Sequence, residues 1–394
     1  MGLLVPHELG RDQRTFASVQ NALDTYVQPI AAHAFRLKTL NIKAENGRTD
    51  REDARPTRSR VARITTGYTC EYDLSAYLIP SGTAGTAPDM FDFWTGLLGT
   101  ETIVSSTSVA YTPSNSQAMR FFSLTTGQRD VRYDALVGAV VGKGTIKASG
   151  VDPVEVTFSG PARRRIQAAP FTLQTGTTGS TWVSTGNEAV APSVGALYYQ
   201  SGVDNSGAGF AVTAVGTPSG GFASHTSASA HGMSAGGLLL PFLPTETTNG
   251  QPIAGISGSL TWGPSSLSRD VMRMTGVEIE IDNDVKAHTD EALTRFAADF
   301  TFGRRKVDGK LMFRCTQSNA IEVVRNINGA FATIAATIVL GTTAGSICTI
   351  SMSRIEVGTP EISVPEKDEV TITLPFVALS SSENAADEIS ITFT

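Results

Sequence analysis

The sequence predicts a mainly β protein with two tandem β-sandwich or barrel domains, each with a flanking short helix, and a small inserted β domain. Two distant segments, Leu40–Asn46 and Val277–Asn283, alternate apolar and polar residues as half-buried strands do. The composition changes abruptly near residue 167 and again near residue 268. Glycine, serine and threonine are abundant and charged residues make up only 17% of the chain, which is typical of β structure with many turns.

Each alternating segment begins a similar series of predicted elements. A charged stretch comes first, and a glycine-containing second strand follows at Ile64–Leu74 and at Lys306–Phe313. A short apolar helix comes next, and a group of strands bounded by turn residues closes each series. The closing strands are Met119–Leu124, Ala135–Ala148 and Val154–Phe158 in the first series, and Ala332–Leu340, Ser346–Val357 and Val370–Phe376 in the second. These matches predict a duplication. Residue identity between the series is low, so a coincidence of all-β patterning is the alternative.

The two predicted helices have apolar stripes and end at glycines. Pro88 and Asp89 suit the first turn of the first helix, and Gly99 ends it. Its stripe consists of Met90, Phe91, Trp94, Leu97 and Leu98. The second helix is expected from about Ser318 to Gly329.

We predict an N-terminal arm or helix at 1–34, a first β domain at 35–166, an inserted β domain at 167–268 and a second β domain at 269–394. The N-terminal helix is indicated by apolar residues at helical spacing: Phe16, Val19, Leu23 and Tyr26. It is either a cap on its own domain or an arm that docks on a neighbouring subunit. The stretch between Arg165 and Arg269 contains no lysine or arginine, yet it keeps apolar runs such as Phe210–Val215, which a linker would lack.

Composition argues against several functional classes. The formal net charge of -6 argues against nonspecific nucleic-acid binding over the whole surface. No apolar run reaches membrane-spanning length, so we expect no membrane insertion. The beginning of the sequence lacks a signal-peptide pattern, so we expect no cleaved export signal. The three cysteines lack metal-ligand spacing and are expected to be buried or inert thiols of a protein folded in a reducing cytoplasm.

No catalytic, metal-binding or cofactor-binding constellation is predicted, and we expect neither enzyme activity nor a cofactor. None of the five histidines lies at metal-ligand spacing or near a serine in a nucleophile elbow. Asp282–Asp284 lacks the later glycine and glutamate of a calcium loop. Gly138–Gly144 does not fit a phosphate-binding loop, and we interpret it as a bent strand.

Two groups of charged residues are the candidate functional residues. Acids alternate with apolar or aromatic residues along two predicted strands: Glu278, Glu280 and Asp282 in one, Glu71 and Asp73 in the other. An ordinary solvated strand face is the alternative interpretation. The second group interleaves arginines with acids: Arg48, Arg51, Glu52, Asp53, Arg55, Arg58 and Arg60. It is either a solvated loop or an arm that makes salt-dependent contacts with another subunit, with Arg163–Arg165 and Arg304–Lys306 as candidate complementary charges.

Six segments together resemble a known family. In the second half they are 275–284 (TGVEIEIDND), 302–309 (FGRRKVDG) and 374–379 (LPFVAL). In the first half they are 67–74 (GYTCEYDL), 82–89 (GTAGTAPD) and 136–141 (LVGAVV). These soft patterns, which cover most of 35–165 and 270–394, resemble the tail tube proteins (major tail proteins) of long-tailed bacteriophages.

The resemblance implies that inner sheets of neighbouring subunits join into a closed ring, and that rings stack into a hollow tube that conducts the genome. Family members usually carry one such domain and form hexameric rings, so two domains imply a homotrimeric pseudo-hexamer. The five acids then line the lumen, where they repel phosphates and let DNA pass without specific binding. The 48–60 segment contacts the next ring, and the central domain decorates the outside.

The resemblance also implies partners and a location. The expected partners are further copies of the chain, a tape-measure protein, and tail-tip or terminator proteins. The expected location is the virion, after assembly in the host bacterial cytoplasm.

Two other hypotheses remain open. The first is a β-rich adhesin or carbohydrate-binding module that uses the central domain, whose aromatic residues either stack on sugars or belong to the core: Trp182, Tyr198, Tyr199 and Trp262. The second is a hydrolase with paired acids, for which the sequence favours no particular pair.

Overall fold

The computed structural model describes residues 13–50, 63–128, 130–168, 170–175, 181–185, 197–200, 210–215, 222–227, 238–245, 250–255, 257–263, 267–289, 294–320, 333–366 and 368–394. Within these residues the fold is mainly β, which confirms the predicted class.

The secondary-structure elements fall into three consecutive groups. The elements of the first group are β1 (Arg14–Gln20), β2 (Ala34–Phe35), β3 (Thr39–Asp50), β4 (Arg63–Tyr77), α1 (Phe91–Leu98), β5 (Gly99–Val104), β6 (Ser108–Pro113), β7 (Phe121–Gln128), β8 (Arg132–Ala139), β9 (Lys143–Ser149), β10 (Glu155–Pro161) and β11 (Arg164–Ala168). The central strands are β12 (Phe171–Thr175), β13 (Thr181–Thr185), β14 (Leu197–Gln200), β15 (Phe210–Val215), β16 (Phe222–Ser227) and β17 (Leu238–Pro241). The elements of the last group are β18 (Gly258–Trp262), β19 (Leu267–Ser268), α2 (Arg269–Met272), β20 (Met274–Asp282), β21 (Lys286–His288), β22 (Asp299–Thr301), β23 (Lys306–Arg314), β24 (Thr333–Leu340), β25 (Cys348–Val357), β26 (Glu361–Ser363), β27 (Thr371–Ala378) and β28 (Ser390–Phe393).

The same strand order occurs in residues 14–168, here called the first half, and in residues 258–393, here called the second half. Five strands of the first half pair in the order β11-β8-β7-β1-β2. Their counterparts in the second half pair in the order β28-β25-β24-β18-β19. In both halves the first strand of the half pairs with the first strand of a later hairpin, β1 with β7 of the β7–β8 hairpin and β18 with β24 of the β24–β25 hairpin. The two halves therefore share one topology.

A second layer, the long sheet, runs through both halves. The first half contributes the order β3-β4-β10-β9, and the second half contributes β20-β23-β27-β25, with β26 beside β27. The two contributions meet where β9 pairs with β20, with Ser149 to Lys143 antiparallel to Gly276 to Asp282. We call this pairing the internal joint. A second contact links the halves where β6 pairs with β28.

The strand expected at 135–148 is divided into β8 and β9, which belong to different layers. Gly138, with a φ of 65°, lies just before the break and adopts a left-handed conformation that favours glycine. At the crossing the backbones are so close that a Cβ atom on Gly160 would lie 2.0 Å from the carbonyl oxygen of Val140. At Gly138–Gly144 the chain therefore passes between two strands of different layers rather than forming one bent strand.

Helix α1 is confirmed with its predicted end, but it begins at Phe91, so Pro88 and Asp89 precede it rather than form its first turn. It packs in the core of the first half. It ends at Leu98 because Gly99 follows with a φ of 101°. Phe93 stacks on Phe122 at 5.4 Å, and Trp94 meets Phe158 edge to face at 4.9 Å. Such ring pairs add about 0.5–1.5 kcal/mol each beyond their buried area. Of the second predicted helix, residues 321–329 lie outside the described residues.

The six central strands close into a small barrel that packs on the five-stranded sheet of the first half. Tyr198 and Phe242 of this region share a buried cluster with Tyr133 and Ile166 of the sheet. The opposite face of the same sheet, which carries Leu136, packs toward the long sheet. The five-stranded sheet therefore lies between the barrel and the long sheet.

The N-terminal helix predicted from Phe16, Val19, Leu23 and Tyr26 is wrong, because residues 14–20 form β1. This strand pairs with β7 along its whole length and is buried on both faces. A strand that is buried on both faces has no period-two alternation, so its apolar residues matched a helical spacing by chance.

The boundary expected at residue 268 is also wrong, since β18 and β19 belong to the second half. Trp262 of β18 is fully buried and packs on Phe376 at 5.6 Å. The exposed positions of β18 hold the uncharged residues Ser259 and Thr261, so the segment shares the low charge of the central stretch, and composition therefore assigned it to the wrong domain.

Candidate functional site on the long sheet

The acids of β20 lie on one face of the long sheet. Val277, Ile279 and Ile281 are buried in the core, whereas Glu278, Glu280 and Asp282 are half-buried on the opposite face. The predicted alternation of this strand is confirmed. We use the term charged face for the side of the long sheet that points away from the core in the strands β3, β4, β10, β9, β20 and β23.

Glu71 and Asp73 lie on the same face as the acids of β20. Directly paired residues of antiparallel strands point to the same side of a sheet, so a row of partners can be followed from strand to strand. Asp73 pairs with Ser159, Ser159 with Lys143, and Lys143 with Asp282. The structure therefore brings all five candidate acids onto one face, although they are spread across several strands.

Lysines lie beside the acids of β20 on both neighbouring strands, although the direct partners of Glu280 are Thr145 and Asp308. Glu278 lies between Lys147 of β9 and Lys310 of β23. Its Oε2 atom forms an ion pair with Lys310 Nζ at 3.0 Å. Glu280 forms an ion pair of 2.7 Å with Lys143. Asp282 lies between Lys143 and Lys306.

At the internal joint the acids therefore do not form a continuous acidic surface, because lysines lie among them. Like charges directly opposite each other destabilise a strand pair, and the joint between the halves uses opposite charges instead. Each of these ion pairs is partly exposed and contributes roughly 0–1 kcal/mol. The charged face around β20 is a mosaic of acids and lysines.

The candidate inter-ring residues are only partly described. Arg48 lies in β3, opposite Thr65, rather than in a loop. The β3–β4 hairpin continues to Asp50 and Arg63, whose side chains form an ion pair of 2.8 Å. Strand pairing thus extends further into the charged stretch than its composition suggests. The other candidates lie outside the described residues: Arg51, Glu52, Asp53, Arg55, Arg58 and Arg60.

The first arginine cluster is engaged within the chain. Arg163 and Arg164 form ion pairs with Asp24 at 3.4 and 2.7 Å, and Arg165 pairs with Asp134 at 2.8 Å. These arginines fix the loop after β1 and the edge strand β11 to the rest of the first half. They are therefore structural residues, and the interpretation that they meet charges of another subunit is not supported.

The sequence did not predict a hollow that lies at the start of α1. It is lined by His33, Asp89 and Asp92, among others. Burial raises the pKa of Asp89 to about 6 against the opposing effect of Arg36. Burial likewise raises the pKa of Asp92 to about 6, although Arg120 donates a hydrogen bond to it at 3.3 Å. These carboxyls can take up protons in mildly acidic solution.

No protein-family model matches the chain, and no curated protein matches it significantly. Within the described residues, no group of three or more histidine, cysteine or acidic side chains is arranged to hold a metal ion. None of the helices in the described part of the chain has the length and apolar character of a bilayer-spanning segment.

The residues that the sequence analysis missed are the lysines of the charged face. Lys143 and Lys147 alternate with Gly144 and Ile146, as the acids of β20 alternate with apolar residues. This alternation can be recognised in the sequence. The pairing of β9 with β20 cannot, because it joins strands that are more than a hundred residues apart in the chain.

Proposed function

We propose that this chain is a structural virion protein that polymerises into stacked rings and forms a hollow phage tail tube, through which the DNA genome is ejected. The observation that best supports the proposal is the internal joint. Two halves of one topology pair edge to edge there, the first through β9 and the second through β20. A unit that pairs with a similar unit through two different edges makes a head-to-tail contact, and repetition of such a contact gives a ring when the rotation between units closes.

The dimensions of such a ring suit a DNA conduit. Each chain contributes eight strand positions to the long sheet: β3, β4, β10, β9, β20, β23, β27 and the run of β25 with β26. Three chains then give a cylinder of about 24 strands, with a backbone diameter of about 50 Å at usual strand spacing and tilt. Inward side chains leave a lumen of roughly 40 Å, wider than duplex DNA. We therefore propose a homotrimer with six similar wall units.

The layer order favours the charged face as the lumen lining. The central barrel lies beyond the five-stranded sheet, on the side away from the long sheet. With the charged face inward, the barrel decorates the outside and leaves the lumen open. Acids whose charge is offset by neighbouring lysines give no strong positive potential, so phosphates are not retained. A tape-measure protein in the lumen and tail-tip or terminator proteins at the ends are the further partners in this proposal.

Negative-stain electron microscopy and light scattering of one purified sample test the proposal. We expect hollow rings or tubes with three chains in each ring. Six chains in each ring would keep the tube and contradict the trimer. A compact monomer that persists at high concentration and in the presence of preformed tail tips would contradict the proposed function.

The alternative of a carbohydrate-binding module is less well supported. Tyr198 is 1% exposed and Trp262 is fully buried, so neither side chain is free to stack on a sugar. Trp262 also lies in the second half rather than in the barrel. Tyr199 donates a hydrogen bond to Asp130. The side chain of Trp182 lies outside the described residues.

A further inference from the structure

The internal joint has a counterpart at the two ends of the long sheet. In the first half, β9 pairs with β10, and the free side of β9 receives β20. In the second half, β26 runs beside β27 as β9 runs beside β10. At the far end of the sheet, β3 corresponds to β20 and pairs only with β4 in the described part of the chain. The edges of β26 and β3 are therefore the counterparts of the two edges that meet at the internal joint.

Cross-strand pairing determines which residues correspond at β3. Leu40 pairs with Leu74, which pairs with Phe158. In the second half, Val277 pairs with Leu311, which pairs with Leu374. Where each half crosses between layers, Gly142 donates a hydrogen bond to the carbonyl oxygen of Ser159, and Gly358 donates one to that of Pro375. Ser159 therefore corresponds to Pro375, and Phe158 to Leu374. Leu40 thus corresponds to Val277, and two residues further on Ile42 corresponds to Ile279.

The same comparison fixes the correspondence at β26. Phe158 and Leu374 correspond, so Val156 and Ile372, two residues earlier, also correspond. Val156 pairs with Ile146, and Ile372 pairs with Ile362. Ile362 is therefore the counterpart of Ile146, which lies directly opposite Ile279 at the internal joint.

We propose that β26 of one chain pairs antiparallel with β3 of a second copy, with Ile362 opposite Ile42. This inference rests on the ring assembly proposed above and specifies its chain-to-chain contact. In this register Glu361 lies opposite Lys43, so an acid meets a base on the charged face, as at the internal joint. Val364 lies opposite Leu40 on the core side.

The exposure of apolar residues at the edges of β26 and β3 supports a second copy of the chain as the partner. Ile362 is 50% exposed and Val364 is 72% exposed, whereas their counterparts Ile146 and Ala148 are each 2% exposed. Leu40 and Ile42 are half-buried at the other edge. Unpaired strand edges with exposed apolar residues are templates for pairing with another chain. Pairing in this register covers the apolar residues of both edges at once.

Disulfide cross-linking of the full chain tests the register. Lys43→Cys and Glu361→Cys are combined with Cys315→Ser, because Cys315 is the exposed native thiol among the described residues. Directly opposite residues are about 4.5–5.5 Å apart at Cα, within the range that a disulfide spans. Mild oxidation of the assembled protein should give covalent dimers and trimers. The matched control combines Lys43→Cys with Ile362→Cys, whose side chains point to opposite faces, and should give at least about tenfold less product.

The outcomes separate this inference from the proposed function. Rings without cross-linked product would overturn the register and leave the tube intact. Cross-linked oligomers without rings would support the register and contradict the tube, and absence of both would overturn both.

A second pair of variants tests the same edge without oxidation. Ile362→Asp introduces a charge at the proposed contact and should leave the chain monomeric but folded, since this side chain is half exposed in the free chain. Ile30→Asp is the matched control, because Ile30 is 51% exposed and lies outside the strands. It should assemble as the unmodified chain does. Normal assembly of Ile362→Asp, seen by light scattering with an unchanged circular dichroism spectrum, would overturn the proposed contact.

Discussion

Replacing Arg305 by alanine is predicted to lower the free energy of unfolding by about 3–5 kcal/mol. The Arg305 side chain is only 14% exposed and connects the two halves. It donates hydrogen bonds to Glu388 Oε1 at 3.2 Å, to Gln117 Oε1 at 2.5 Å and to Asn283 Oδ1 at 3.1 Å. Gln117 belongs to the first half, whereas Glu388 and Asn283 belong to the second.

The magnitude follows from what the substitution leaves behind. The Glu388 side chain is 13% exposed, and removing the cation from a buried ion pair costs about 3–5 kcal/mol. Gln117 and Asn283 each lose a charge-assisted hydrogen bond, worth about 1.5–3 kcal/mol in isolation. These losses belong to one network and do not add in full. Both residues also donate to carbonyl oxygens at the end of α1, Gln117 to Gly96 and Asn283 to Leu97, so the loss should extend to the helix.

Urea unfolding of the unassembled chain at neutral pH measures the effect. Arg304→Ala is the matched control, because Arg304 is exposed and the substitution should change stability by no more than about 0.5 kcal/mol. If Arg305→Ala and Arg304→Ala lower stability equally, or if Arg305→Ala costs less than about 1 kcal/mol, the reasoning is refuted. Arg305 would then be the surface charge that the sequence suggested.

Two further predictions concern charge. Burial raises the pKa of Asp92 to about 6, so between about pH 4 and pH 6 the folded chain holds a proton that the unfolded chain has released. The contribution of this group to stability therefore falls as the pH rises through that window, and Asp92→Asn should remove this slope in urea unfolding. Equal slopes for the two proteins would contradict the assignment. Changing Glu278, Glu280 and Asp282 together to the neutral amides removes their negative charge without placing like charges opposite the neighbouring lysines, and should make the charged face basic. Tubes of this variant should then bind short DNA in fluorescence anisotropy, with an affinity that falls as salt rises. Tubes that form normally and gain no DNA binding would contradict a lumen lined by this face.

Short sequence patterns predicted those elements whose structure depends on residues close together in the chain. Val277–Asn283 is a strand with one buried face, so its alternation is visible in seven residues. Helix α1 has an apolar stripe and a glycine after its last turn. The break between β8 and β9 is marked by closely spaced glycines. In each case the physical cause lies within a few residues of its effect.

Non-local pairing determined the elements that the sequence did not predict. Strand β1 takes its structure from β7, about a hundred residues away, and shows no alternation because both its faces are buried. The lysines around the acids of β20 come from β9 and β23, and their role follows only from the register. Arg305 is a basic residue like its exposed neighbours Arg304 and Lys306, and only the packing of its side chain distinguishes it from them.

The two errors at the domain boundaries concern equivalent elements. Strands β1 and β18 occupy the same position in their sheets, and both were assigned outside the halves to which they belong. With these strands included, each half has a complete five-stranded layer beside the long sheet. The duplication therefore extends beyond the alternating strands that first indicated it.

The contacts between the two halves of one chain bear on assembly. The β5–β6 hairpin of the first half pairs with β28, and Tyr111 of β6 packs on Phe393 at 6.0 Å, so the halves of one chain meet through this strand pair as well as through the internal joint. Because two strand pairs already hold the halves together within one chain, we infer that each chain folds with its halves joined, and that rings form from folded chains rather than from separate halves.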